Sequence, residues 1–442
     1  MPYSARVLVI CGEEKPRDDL CATLEARGYE TLSADSRQAA LHQARSHHPD
    51  VAVIRPGAGD VTADMAEELA VHLKSIDSVI RYPVILLGDR SAASINIEAR
   101  IAYAYHDMQL FNRIESLVRL DTMGRELKRR IKTLSSFGVT DLEPFDPPVD
   151  LKNLKILIAG NPNTAFSQIE SILDHNSTEI IAAPKTSLAL DYLNADAFDA
   201  VILNIDGNAA DLLTLSETMR HNPRLYNLPV IAVSDLTTLG PPEEAYRDGV
   251  TDILSLPLNE QELKNRVETL VREARFRNAL QDVYAHSRHT FTNDALTGLF
   301  TYGFLRAHIE KVVEDSIRTN QDLSVAFFDI QSMKTINDTH GFGLGDSIIR
   351  QTGSMLGMLV RGEDIPARYT GAEFALVLPN TSYDIAQTVT QRVTGVINNT
   401  LFPSGQEDEA ISVILKTGLA ALWPGETGAS LLIKARREAK SA

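Results

Sequence analysis

Short unbroken apolar runs punctuate the first part of the chain, each followed by a polar stretch with helical spacing. ARVLVI (5–10) leads to PDVAVIRPG (49–57) and then to YPVILLG (82–88). Apolar runs without polar alternation predict strands buried on both faces, and their alternation with helices predicts βαβ units on a parallel sheet. The same order then recurs in LKILIAGN (154–161), FDAVILNID (198–206) and LPVIAVS (228–234). Val7 falls on Ile156 and Asp50 on Asp199 at one constant offset. Two similar doubly wound α/β domains follow, with predicted extents of 1–134 and 153–275. Between them, 135–152 carries Pro144, Pro147 and Pro148 and predicts a linker.

Beyond the second copy, the stretch 259–287 holds neither Gly nor Pro and predicts one continuous helix. Leu263, Val267, Leu270 and Ala274 form a heptad stripe, which Phe276, Leu280 and Val283 continue in a shifted phase. That stripe serves equally a helix packed on its own domain and one that joins domains or pairs two copies; residues 276–291 are assigned to a connecting helix. A third domain is expected over 292–442, mixing helices with strands such as LSVAFFDI (323–330) and EFALVLP (373–379). Within it, RGEDIPARYTGAEFALVLP (361–379) reads as a turn, a strand, a tight turn and a second strand, with TGAEF at the tip.

Composition narrows the partners. The chain has 442 residues, 44% of them apolar and 23% charged, as in an ordinary folded protein of about three domains. A formal charge of -16 opposes a phosphate backbone, so nucleic acid is not an expected partner. Two cysteines, Cys11 and Cys21, are too few for a disulfide framework or a four-ligand zinc site. The histidine-rich spots SHHPD (46–50) and HSRH (286–289) read as a surface loop and a helix end rather than metal sites. No apolar run approaches the ~18 residues of a membrane span, and the expected location is the cytoplasm.

The two repeats resemble response-regulator receiver domains over most of 5–275, which implies a flavodoxin-like fold. A receiver uses acids after its first strand to hold Mg²⁺, an aspartate ending its third strand to accept a phosphoryl group, and a lysine after its fifth. Here the acid positions fall on Cys11 and Gly12 in the first copy and on Gly160 and Asn161 in the second. The acceptor positions hold Arg55 and Asn204, and Leu256 stands where lysine would. Ser234 alone keeps the family's hydroxyl. Neither copy is expected to be phosphorylated.

NDALTGLF (293–300), AFFDIQSMKTINDTHGFGLGD (326–346) and RYTGAEF (368–374) together resemble the α/β GGDEF domain of diguanylate cyclases, a nucleotidyl-cyclase-like fold. The order of two receivers and a GGDEF domain is similar to response regulators of the PleD type. Such a cyclase condenses two GTP molecules, with two metals held between a strand-end aspartate and the third residue of the GGDEF turn. The strand-end acid matches Asp329, which reads equally as an ordinary strand-terminal polar residue. The turn has become Thr370-Gly371-Ala372, and Ala372 offers no oxygen to a metal. Gln331 replaces a second acid, and LLIKARREAKSA at the end of the chain is expected to lack the basic extension that grips phosphates. By the same resemblance Asn337 and Asp346 match guanine contacts, although a turn cap and a helix cap explain them as well. No catalytic residue and no metal ligand are therefore assigned.

Arg361-Gly362-Glu363-Asp364 is the only RxxD in the chain, and it lies at the spacing from the turn that marks the family's product-binding inhibitory site. Arg392 matches a secondary arginine of that site. A guanidinium meets guanine O6/N7 or phosphate as a fork, and a carboxylate accepts from guanine N1/N2; an exposed Arg/Asp ion pair is the alternative. The resemblance implies a cyclic di-GMP receptor without synthesis or cofactor. It also implies a homodimer whose receiver domains recruit protein partners, as in an adaptor for proteolysis in bacterial cell-cycle control recruited to a cell pole. A slow cyclase with altered metal ligation and a nucleotide-free scaffold remain the rivals.

Overall fold

The computed structural model describes the chain except for residues 1–4, 58–60, 77–81, 89–96, 102–104, 139–150, 175–177, 208, 223, 287–291, 404–409 and 442. Most of the linker assigned by sequence, and His289 of the second histidine spot, lie outside the described residues.

Each apolar run forms a strand. The first sheet contains β1 (Arg6–Ile10), β2 (Glu30–Ala34), β3 (Val51–Ile54), β4 (Val84–Leu87) and β5 (Ala99–Ile101) in the order β2-β1-β3-β4-β5, all parallel. The second contains β6 (Lys155–Ala159), β7 (Glu179–Ala183), β8 (Ala200–Ile205), β9 (Val230–Ser234) and β10 (Asp252–Ser255) in the equivalent order β7-β6-β8-β9-β10. That is the flavodoxin-like arrangement. The repeat extends to single hydrogen bonds: Asp50 accepts from the Arg6 amide at 2.8 Å, and Asp199 from the Lys155 amide at 2.9 Å. Central strands such as Val51–Ile54 and Ala200–Ile205 are buried along their whole length, as unbroken apolar runs require.

The third sheet runs β11-β13-β14-β12-β17, where β11 is Phe300–Thr301, β12 Leu323–Ile330, β13 Ile365–Thr370, β14 Glu373–Pro379 and β17 Leu415–Ala421. The short strands β15 (Phe402–Pro403) and β16 (Ala410–Ile411) pair separately. The predicted strands at 323–330 and 373–379 match β12 and β14 residue for residue. β12 pairs antiparallel with β14 and β17, and β13 with β14, so the hairpin edge and the end of β12 meet at Asp329 opposite Glu373.

Two long helices connect these parts. The helix Glu260–His286 confirms the unbroken stretch read from sequence, with Leu263, Val267 and Leu270 buried against the second sheet's core. The other, Asp107–Ser136, is a single helix of 30 residues. Packing divides the chain into two compact units, one holding the first two sheets and the other holding the third sheet together with the long helix from residue 122 onward. In the first unit, Arg113 bridges Asp252 and Glu273, and Arg266 pairs with Asp252 at 2.8 Å. All four groups are nearly buried, so each charge needs its partner.

Candidate functional site

In the second repeat the carboxyl ends of β6 and β8 hold amides that satisfy one another. Asn204 donates to the Asn161 carbonyl at 2.9 Å and to Asn163 Oδ1 at 3.1 Å, and Asn163 donates to Asp206 at 2.8 Å. A Cβ at Gly160 would meet the Asn204 carbonyl at 2.3 Å, which keeps this corner closed to a larger residue. Ser234 is buried and donates to backbone carbonyls. In the first repeat His48 ends the helix Arg37–His47 in the left-handed conformation and pairs with Tyr82, so SHHPD is the end of a helix leading into buried residues rather than a surface loop.

The hairpin tip is built by β13 and β14. Gly371 takes a positive φ of 51°, which glycine permits without strain. Arg368 fastens the tip to the loop before β11: its guanidinium binds both Asp294 oxygens at 3.1 Å and the Gly371 carbonyl at 2.9 Å. Burial works against the ionised form of Asp294, but Thr297 and Arg368 hold its carboxyl below the usual range. Ala372 turns its methyl against the apolar cluster that contains Phe328 and Phe374. Asp329 sits beside Glu373, and burial together with that neighbour raises its carboxyl above the ordinary value. Glu373 is itself engaged by Arg436 at 2.7 Å and Lys440 at 3.5 Å.

Those two cations give the last helix a role at the hairpin. Arg436 and Lys440 are four residues apart on Gly428–Ser441, hence on one face, and that face meets the hairpin. The spacing was available in the sequence; their target across the fold was not.

Asn337 and Asp346 also depart from expectation in one respect. Neither is a cap: Asn337 lies inside the helix Met333–His340 and Asp346 inside Phe342–Leu359, which starts after Gly341. Asn337 Oδ1 is buried with no hydrogen-bond partner, and a Cβ on Gly345 would stand 1.9 Å from it. The glycine thus makes room for the carboxamide, and an unpartnered buried oxygen is a place where a ligand's N–H would be favoured. Asp346 is exposed next to that glycine.

The RxxD turn precedes β13. The Arg361 amide donates to Asp364 Oδ2 at 2.8 Å, and the Asp364 amide returns to the Arg361 carbonyl at 3.2 Å, so the motif closes on itself. Asp364 is 3% exposed, its Oδ1 buried without a hydrogen-bond partner. Burial, reinforced by Glu363, pushes this carboxyl up to about 7 despite Arg361. Arg392, from the helix Tyr383–Asn398, is exposed and donates to the Leu359 carbonyl at 2.8 Å, two residues before Arg361. The fold therefore brings Arg361, Asp364 and Arg392 to one corner, and Asn337 with Asp346 to another.

Residues 291–442 match the family described as "Diguanylate cyclase, GGDEF domain". They form a GGDEF domain. The whole chain is similar to the response regulator PleD of Caulobacter vibrioides, with 28% identity over 447 residues covering 98% of this chain and 95% of PleD. The diguanylate cyclase DosC of Escherichia coli is 32% identical over 154 residues, which span 35% of this chain and 33% of DosC. Among solved structures, the GGDEF domain of DgcB from Caulobacter crescentus in complex with c-di-GMP covers 35% of this chain and 88% of its own at 24% identity and a TM-score of 0.34. The GGDEF domain thus sits in a PleD-like layout, and no described helix is long and apolar enough to cross a membrane.

The GGDEF hairpin does not fit the two-metal centre that the family implies. Ala372 supplies a methyl, and Glu373 is already paired with two cations.

Proposed function

We propose that the protein is a cyclic di-GMP receptor that binds the dinucleotide at the RxxD turn and does not synthesise it. The observation that carries the reading is the corner formed by Arg361, Asp364 and Arg392, where two guanidinium-bearing residues and one carboxyl converge beside the end of a helix. Arginine forks suit the guanine edges and phosphates of such a ligand. The hairpin adds support from the other side: a methyl at position 372 and a neutralised Glu373 leave Asp329 without a second carboxylate to share a metal. Ligand occupancy acts by favouring one arrangement of the chain or of two copies, and the receiver-like domains offer surfaces to protein partners. Homodimerisation and an adaptor role in proteolysis at a cell pole belong to this same reading. Calorimetric titration with cyclic di-GMP tests it: saturable binding that is lost in Arg361→Ala supports the site, and unchanged affinity in that variant removes it.

The unpartnered Asn337 oxygen facing Gly345 favours a second reading, in which the domain also holds GTP as a ligand. A slow cyclase requires product from bound GTP; a pure scaffold requires that neither nucleotide binds.

A further inference from the structure

The most completely buried set of charges outside both corners lies within the unit that holds the GGDEF domain. Glu126 and His308 are fully buried and Arg130 is 5% exposed. Arg130 Nε binds Glu126 Oε1 at 2.5 Å, and His308 Nε2 approaches the same oxygen at 3.0 Å. Arg129 takes the other carboxylate oxygen at 3.1 Å and reaches Asp315 at 2.9 Å. Thr133 meets His308 Nδ1 at 3.0 Å and also receives Lys311. Burial works against the ionised Glu126, but His308, Arg130 and Arg129 outweigh it and hold the carboxyl well below its usual range. Burial lowers the His308 imidazole in spite of Glu126.

What this cluster holds in place is the RxxD turn. The Arg130 guanidinium stacks 5.1 Å from the Phe300 ring centroid, and its Nη2 donates to the Gly362 carbonyl at 3.1 Å and to the Asp364 carbonyl at 2.9 Å. One side chain from the segment 122–136 therefore ties two backbone groups of the motif, while Glu126 and Phe300 fix that side chain and His308 in turn holds Glu126.

We infer that Arg130, set by Glu126, is a positioning residue for the RxxD ligand site, and that ligand binding there is coupled to the order of the helix segment 122–136. The inference rests on the reading that cyclic di-GMP occupies the RxxD turn. A turn whose carbonyls are pinned presents Arg361 and Asp364 in one geometry, so less ordering remains to be done when ligand arrives. Coupling is reciprocal, and ligand must in turn stabilise the segment that pins the turn.

The test uses the full chain, cyclic di-GMP as probe, calorimetry and amide hydrogen exchange. Arg130→Gln is expected to weaken binding about tenfold or more, since it removes charge-assisted bonds to both carbonyls. Arg130→Lys, which can still donate, is expected to recover part of that loss. In the unmodified protein, ligand is expected to slow exchange both at 361–364 and across 122–136; this readout stands even where Arg130→Gln fails to fold. Binding that is lost in Arg361→Ala but unchanged in Arg130→Gln overturns the inference alone. So does ligand protection confined to 361–364. Unchanged binding in Arg361→Ala overturns the site itself, and the inference with it.

Discussion

The strand β13 joins two ends of the GGDEF domain that leave very different chemistry for a ligand. At its start the RxxD turn keeps Arg361 and gains Arg392 from a neighbouring helix, while Asp364 closes the turn and Arg130 pins its carbonyls. At its end the tip carries Thr370, Gly371 and Ala372, and the remaining carboxylate of Glu373 is taken by Arg436 and Lys440. One end presents arginines beside a pinned turn, whereas the other carries a methyl and a carboxylate paired with two cations. The six residues of β13 lie between the RxxD turn and Gly371.

The widest gap between the ends is expected in ligand affinity. Each arginine contact to guanine is worth about 1–3 kcal/mol, so Arg361→Ala is expected to weaken cyclic di-GMP binding by about tenfold or more in calorimetry. Ala372→Gly at the opposite end is expected to leave that affinity within about twofold; equal losses at both ends would erase the contrast.

A second, somewhat smaller effect belongs to the pocket around Asn337. Gly345→Ala inserts a Cβ 1.9 Å from Asn337 Oδ1. Such overpacking costs about 1–3 kcal/mol, to be read as a lower midpoint in denaturant, with loss of whatever GTP binding the protein has. A variant as stable as the parent would show that the carboxamide is free to move away.

A third concerns pH. With the Asp364 carboxyl raised to about 7 by burial and by Glu363, the folded domain binds more protons than the unfolded chain between roughly pH 4 and 7. Stability from this group is therefore full at the acid end and falls as pH rises through that window. Thermal unfolding from pH 5 to pH 8 is expected to show this decline, and Asp364→Asn to flatten it. The smallest effect is expected in the receivers. No phosphoryl label from acetyl phosphate should enter the protein, and Asn204→Asp alone should not change this, because the positions that match a receiver's acid pair and lysine still hold Gly160, Asn161 and Leu256.

Much of this was legible in the sequence because the signals are local. Unbroken apolar runs gave both parallel sheets, alternating turn and strand patterns gave β13 and β14, and the absence of Gly and Pro gave the helix Glu260–His286. The RxxD corner was legible as a motif. What escaped was long-range or depended on helix phase. Arg130 reaches carbonyls more than two hundred residues away, and no periodicity marks that pairing. Arg436 and Lys440 were spaced to share a face, but only the packing of the last helix on β17 and β12 aims that face at Glu373. Asn337 and Asp346 resembled caps because IND and GDS are cap-like strings, whereas the helices extend through both.

The most direct measurement of the central claim is incubation of the purified protein with GTP and Mg²⁺ or Mn²⁺, followed by chromatography of the nucleotides. The account predicts that no cyclic di-GMP forms, although the same preparation binds added cyclic di-GMP. Metal-dependent accumulation of cyclic di-GMP from GTP would contradict it.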